Sequence, residues 1–180
     1  MLPHANQPSQ SLFNPHKVAV VLPDIRSTYN VGAVFRTAEA AGISQLVTCG
    51  YTPYPAVPSD LRPPHVIAAN TRAIAKTALG AETMVPHRHY ASLESAIAAL
   101  RSGGYGIVAL ELSSAADPLF SYRPQGPVAL VLGPEVTGLS AYQLAAVDTV
   151  LALPMLGRKE SLNVSVAAGI ALYHLRWPAI

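Results

Sequence analysis

Residues 153–168 read Leu153-Pro-Met155-Leu-Gly157-Arg158-Lys-Glu-Ser161-Leu162-Asn163-Val-Ser165-Val-Ala-Ala168. The residues just before, Thr149 to Leu153, form a short apolar run that predicts a strand, and the apolar spacing from about Asn163 to Arg176 predicts the last helix. The turn between them leaves the carboxyl end of a strand and enters a helix, carrying a glycine and three short polar side chains, Ser161, Asn163 and Ser165. Such a connection can hold a flat heterocycle between apolar side chains while main-chain groups read its edge. A purely local use is also open, in which Ser161 caps the final helix and Asn163 and Ser165 bond to nearby backbone.

The same alternation extends toward the N-terminus. Val128 to Leu132 reads as a buried strand followed by a short helix from Ser140, and Gly106 to Leu110 as another strand. Ser92 can cap a helix through Ile97 and Leu100 that stops at Gly103 and Gly104. Glu82 to Val85 reads as a brief strand. Pro64 suits the first turn of a helix through Val66, Ile67, Ala73, Ile74 and Ala78 to Gly80. Residues 51–64 hold five prolines and cannot be regular structure. Gln45 to Cys49 and Lys17 to Leu22 read as strands. Between them Val31, Val34, Phe35, Ala38 and Ala41 mark one face of a helix that begins near Asn30 and stops at Gly42. Strands apolar on both faces, alternating with helices, predict an α/β fold with a parallel sheet and helices on both faces. Function then belongs at the carboxyl ends of the strands.

Composition narrows the setting. The chain has 180 residues, 51% of them hydrophobic, a formal net charge of +2 and a single cysteine. That balance excludes intrinsic disorder, an internal disulfide and a multi-cysteine zinc site, and it suits a reducing, cytoplasmic compartment. The longest apolar stretch, Asn163 to Tyr173, falls well short of the roughly 20 residues of a bilayer span. Residues 1–16, with three prolines and four amide side chains, read as a loose tail rather than a signal peptide, and residues 17–180 as a single domain. Nine of the twelve basic residues are arginine, the side chain suited to bidentate recognition of phosphate.

Familiar motifs fail on context. Gly104-Tyr-Gly106-Ile-Val-Ala109 has dinucleotide-loop spacing but precedes a strand instead of leaving one. No phosphate-cradling G-x-x-x-x-G-K-[ST] loop and no G-x-S-x-G elbow occurs. Asn163-Val-Ser165 matches a glycosylation acceptor at the start of an apolar helix, a chance match. His87 and His89 lack a nearby third ligand, so no metal is expected. Cys49, ending a buried strand, reads as a small core residue.

Two other segments carry chemistry. Asn30-x-Gly32-x-x-x-Arg36-Thr37-Ala38 sets an amide, a glycine and a guanidinium on the first turns of a helix that follows a strand, a setting that favours anions. The local alternative is an N-capping Asn30 with Arg36 solvated on the outer face. In Leu132-Gly133-Pro134-Glu135-x-x-Gly138-Leu139-Ser140, a buried strand runs into a glycine turn with one carboxylate at its mouth, and glycine lets a ligand approach the backbone. The local alternative there is that Glu135 supports the first-turn amides of the next helix.

In this order and spacing the three segments strongly resemble the SpoU/TrmH family of RNA ribose 2′-O-methyltransferases, of the SPOUT class, over roughly residues 17–176. The resemblance implies a C-terminal trefoil knot, a homodimer, and S-adenosyl-L-methionine bound by Gly133, Leu153 and Leu162 with Met155 and Leu110. It places the catalytic arginine at Arg36, with Asn30, Glu135, Ser161 and Asn163 around it, and calls for no metal. The implied partner is RNA, either tRNA or rRNA; DNA and membrane partners are not expected. Longer relatives carry a separate N-terminal RNA-binding domain. Here capture is expected from the dimer surface, the proline-rich stretch 51–64 and Arg26, Arg62, Arg123 and Arg158. Two rival readings stay open: an RNA-binding protein of this fold without transfer, and a SPOUT methyltransferase acting on a base.

Overall fold

Val18–Pro23 forms β1, fully buried and in the interior of the sheet. Its side chains alternate as a pleated strand requires: Val18, Val20 and Leu22 enter one core, Ala19 and Val21 the other. The computed structural model describes residues 16–134, 136–158 and 161–177. Around β1 the sheet is completed by β2 (Gln45–Cys49), β3 (His87–Tyr90), β4 (Gly106–Leu110), β5 (Asp117–Pro118), β6 (Val128–Leu132) and β7 (Thr149–Ala152), in the order β3-β2-β1-β6-β4-β7-β5. Every pairing is parallel. The carboxyl ends of β1, β2 and β3 therefore lie side by side on one half of the sheet edge, and those of β6, β4 and β7 on the other.

One face is covered by α1 (Thr28–Ala40), α2 (Pro64–Ala78), α3 (Ala81–Met84) and α6 (Val164–Arg176), which bury Phe35, Ile74 and Leu172. The other is covered by α4 (Leu93–Ser102) and α5 (Ala141–Ala145), with Leu93, Ile97 and Leu100 as its main apolar contacts. This is the expected two-sided α/β arrangement. Among the described residues no helix is long and apolar enough to cross a membrane.

Three local expectations are corrected. Residues 82–85 are not a strand: α3 occupies Ala81–Met84, and the Glu82 carboxylate accepts the Gly80 N–H at 3.0 Å, tying down an amide at the helix start. The strand instead is β3, whose polar sequence His-Arg-His-Tyr is tolerated because it is an edge strand pairing only with β2. Second, α1 starts two residues before Asn30, with Ser27 as its N-cap accepting the Asn30 N–H at 3.2 Å. Third, α6 is capped by Asn163 rather than Ser161.

Gly32 is a packing glycine. A Cβ there would lie 2.2 Å from Thr77 Oγ1 and 2.3 Å from the Ile74 carbonyl oxygen, so α1 and α2 cross at backbone contact. The Thr77 hydroxyl completes the crossing by donating to the Tyr29 carbonyl at 2.9 Å.

Candidate functional site

The loops that follow β4, β6 and β7 enclose a cleft of about 360 Å³. Leu110, Leu132, Leu153, Met155 and Leu162 give it apolar walls, and Gly133, Pro134 and Ser161 lie along its rim. Every residue expected to hold a cofactor, namely Gly133, Leu153, Leu162, Met155 and Leu110, lines this one cleft, although they come from three separate loops.

The loop after β6 is shaped by its glycines. A Cβ on Gly133 would meet Leu139 N at 2.8 Å and the Gly138 carbonyl carbon at 2.9 Å, so the loop folds back onto its own start. Gly138 turns with φ of +61°, and its N–H donates to the Pro134 carbonyl at 2.9 Å. One carboxylate fastens this turn. Glu111 Oε2 accepts the Leu139 N–H at 2.8 Å while Oε1 accepts the Leu112 N–H at 3.0 Å. Sequence reasoning missed Glu111. The signal was present, because it is a lone carboxylate directly after a buried strand and at the strand's carboxyl end. Glu135 lies outside the described residues.

Asn163 joins two distant segments. Its Oδ1 accepts Ser165 N–H at 2.9 Å and the Ser165 hydroxyl at 2.7 Å, capping α6, while its Nδ2 donates to Asn30 Oδ1 at 3.3 Å across 133 residues of sequence. Asn30, in the first turn of α1, thus abuts the rim that Ser161 and Leu162 provide. Arg36 does not join them. It is exposed, makes no hydrogen bond or ion pair among the described residues, and lines neither cleft. Six residues of helix put it about 9 Å along the axis from Asn30 and about 240° around it.

A second cleft, of about 510 Å³, opens at the carboxyl ends of β1, β2 and β3, between Arg26, Thr28, Tyr51, Tyr54, Asn70 and His89. Its outer wall is the proline-rich stretch, irregular as expected but firmly held. Arg62 donates to both Asp60 carboxylate oxygens (2.9 and 2.5 Å) and to the carbonyls of Tyr54 (2.9 Å) and Pro55 (3.0 Å). Its guanidinium also sits 3.4 Å from the Tyr54 ring centroid, and that ring stacks on His89 at 3.9 Å. The hydrogen bonds from Arg62 hold the Asp60 carboxyl well below the usual carboxylate range. Burial, reinforced by the Arg62 charge, lowers the pKa of His89.

The arginines expected to capture substrate therefore divide. Arg62 is spent on its own loop, and Arg123 donates to the carbonyls of Phe120 and Tyr122. Arg26 and Arg158 are exposed and make no hydrogen bond or ion pair among the described residues. The two histidines also part, since His89 bonds Thr48 Oγ1 at 3.0 Å whereas His87 Nε2 reaches the Ala56 carbonyl at 3.2 Å. Burial pushes the Cys49 thiol up to about 12, as expected of an inert core residue.

A family model for SpoU rRNA methylases matches residues 17–173. The chain belongs to the SpoU rRNA methylase family. One curated relative, 23S rRNA (guanosine-2′-O-)-methyltransferase RlmB of a Burkholderia species, is 32% identical over 154 residues, covering 86% of this chain and 56% of the relative. Among solved structures, the AdoMet-bound rRNA methyltransferase of Sinorhizobium meliloti superposes with a TM-score of 0.71 at 28% identity, over 87% of this chain and 54% of that one. This SpoU chain thus spans little more than half the length of those relatives. It matches a third relative almost end to end: a structure described as giving insight into 2-OH methylation of C/U34 on tRNA, with a TM-score of 0.69 and 28% identity, is covered over 95% of its length.

Proposed function

We propose that this protein is an S-adenosyl-L-methionine-dependent methyltransferase that modifies a ribose 2′-hydroxyl of tRNA or rRNA. The observation that carries the reading is the Asn163–Asn30 bond, which sets the first helix of the fold against the rim of the cleft after β4, β6 and β7. The residues fit the cofactor. A cleft of about 360 Å³ with leucine walls suits a flat base, and the tight turn at Gly133 presents main-chain groups along one side. Leu110, Gly133, Leu153, Met155 and Leu162 would hold it, and when bound it supplies an electrophilic methyl group. The trefoil knot implied by family membership is supported by the way Gly133, Pro134, Val136, Thr137 and Gly138 share one cavity with Leu153, Met155, Ser161 and Leu162.

A ribose hydroxyl is a weak nucleophile, so the protein's task is alignment and charge stabilisation. The Asn30 and Asn163 amides and the Ser161 hydroxyl orient the ribose. Arg36 is a cation at working pH and so serves poorly as a base. It binds the neighbouring phosphate or stabilises negative charge growing on the 2′-oxygen, while the proton leaves to water.

The outward placement of Arg36 supports a homodimer in which each Arg36 completes the other copy's cleft. It shares a face of α1 with Tyr29, Ala33 and Ala40, and the adjoining α6 exposes Val166 and Tyr173. At a cofactor concentration too low to fill the Gly133→Val cleft, a mixture of Arg36→Ala and Gly133→Val protomers should then recover about a quarter of wild-type transfer through heterodimers. No recovery sinks the shared site. The lone buried thiol supports a cytoplasmic setting.

The function is tested by incubating the protein with labelled S-adenosyl-L-methionine and unmodified tRNA or rRNA, tRNA first because the relative matched end to end concerns tRNA. Label should appear at a linkage that resists alkaline cleavage. Label at a cleavable linkage shows base methylation, and no label with either RNA overturns the reading.

A further inference from the structure

We propose that the second cleft, at the carboxyl ends of β1, β2 and β3, receives the RNA nucleotide next to the target, with Tyr51 as stacking platform and Arg26 on its phosphate. The inference rests on the function proposed above and names a subsite for its substrate. Three observations carry it.

The first is position. Thr28 lines this cleft and Asn30, two residues on, bonds the rim of the other, so the first turn of α1 stands between the two clefts. A strand whose ribose lies at the seam runs its neighbouring nucleotide into this space.

The second is rigidity. Tyr51 is 58% exposed, yet the backbone beneath it is fixed from both sides. Thr52, buried, donates its hydroxyl to the Leu22 carbonyl at 2.7 Å and accepts the Ile25 N–H at 2.8 Å. The Asp24 carboxylate accepts the Tyr51 N–H at 3.2 Å, and Gly50 takes the positive φ of +62° that the turn demands, with a Cβ there only 2.1 Å from Asp24 Oδ1. An aromatic ring held outward on a locked turn presents its face at little entropic cost. Every base has a π-face, so such a platform accepts RNA with little sequence preference.

The third is charge. Among the described residues no carboxylate lines the cleft. Arg26 stands 5.8 Å from the Tyr51 ring centroid, without a hydrogen bond or ion pair among the described residues, so its guanidinium is available to a phosphate beside the stacked base. Arg62, by contrast, is neutralised by Asp60 and serves as wall.

The test measures binding of a fluorescent single-stranded RNA 15-mer by anisotropy across a salt series, with cofactor affinity by calorimetry on the same samples. Tyr51→Ala should weaken RNA binding about tenfold, in line with the loss of one stacked base, and Tyr51→Phe should retain it. Arg26→Ala should lower the slope of log affinity against log salt by about 0.7, one phosphate contact on a single strand. Lys76→Ala, an exposed charge on α2 outside both clefts, should leave the slope unchanged. Should Tyr51→Ala lose cofactor affinity, and hence its fold, the salt slope of Arg26→Ala decides alone. RNA affinity within twofold of wild type for Tyr51→Ala, or an unaltered slope for Arg26→Ala, overturns the subsite while leaving methyl transfer as evidence for the function. A wild-type chain that binds RNA without transferring methyl fails the function, and the Tyr51 and Arg26 variants still judge the subsite.

Discussion

The two clefts lie along one edge of the sheet and are built in opposite ways. After β4, β6 and β7 the walls are leucines and main chain, and the polar work is done by a carboxylate, Glu111, that turns inward to hold a loop. After β1, β2 and β3 the walls are arginine, tyrosine and histidine, stacked into layers and braced by an ion pair. On the reading proposed above, the first construction recognises its ligand by shape and backbone, so an added side chain obstructs it, whereas the second does so by aromatic faces and charge and is sensitive to salt and pH. At the seam, the Asn163 side-chain amide donates to that of Asn30.

This contrast can be broken most sharply at Arg36, which belongs to neither cleft. Arg36→Ala should cut the rate of methyl transfer about 1000-fold, the upper range for loss of one charge-stabilising donor, with cofactor affinity by calorimetry unchanged; Arg36→Lys should rescue little if the contact is bidentate. Full turnover by Arg36→Ala removes it from the site. Gly133→Val should weaken cofactor binding by about 30-fold or more by pushing the 138–139 backbone away, an overpacking cost of a few kcal/mol, yet spare binding of the RNA 15-mer. Equal loss of both would show the clefts to be one unit.

Glu111→Gln keeps the shape and removes the charge. It should weaken cofactor binding about tenfold, as expected when a charge-assisted bond to a main-chain amide is lost, without moving RNA affinity. Asn163→Ala removes the α6 cap, about 1 kcal/mol, and should lower Tm by about 2–4 °C while severing the seam. Transfer should then fall further than either binding step.

The smallest effect is one of pH and is confined to the second cleft. His89 has a lowered pKa when folded, so its neutral form contributes stability fully above the ordinary histidine range and loses it as pH falls through that range. Asp60 is lowered too, so the Arg62 clasp persists until pH falls below the ordinary carboxylate range. Lowering the pH from 7.5 to 5.5 should therefore lower Tm slightly, and His89→Asn should abolish that part.

Much of the fold was legible because a parallel sheet writes its strands as unbroken apolar runs. The central strands and the larger helices lie where Val, Ile and Leu spacing puts them. The two edge strands were hidden, β3 because an edge strand can afford the sequence His-Arg-His-Tyr and β5 because it is only Asp117–Pro118. At the candidate site, residue types and loops were legible, and the five cleft-lining positions came together as expected. The pairings were not. Nothing local couples Asn30 to Asn163, and a sequence cannot say that Arg62 and Arg123 have spent their donors on nearby carbonyls. Glu111 was overlooked because it lies in none of the three segments, although the rule that drew attention to Glu135 applied to it equally.

The Arg62 clasp has a bearing on how such proteins could diversify. Its hydrogen bonds to Tyr54, Pro55 and Asp60 all stay within residues 54–62, so the wall of the second cleft is largely self-supporting. Exchanged between relatives together with its seats on Thr71, His87 and His89, it would remodel the wall of the proposed nucleotide subsite while leaving the cleft after β4, β6 and β7 as it is.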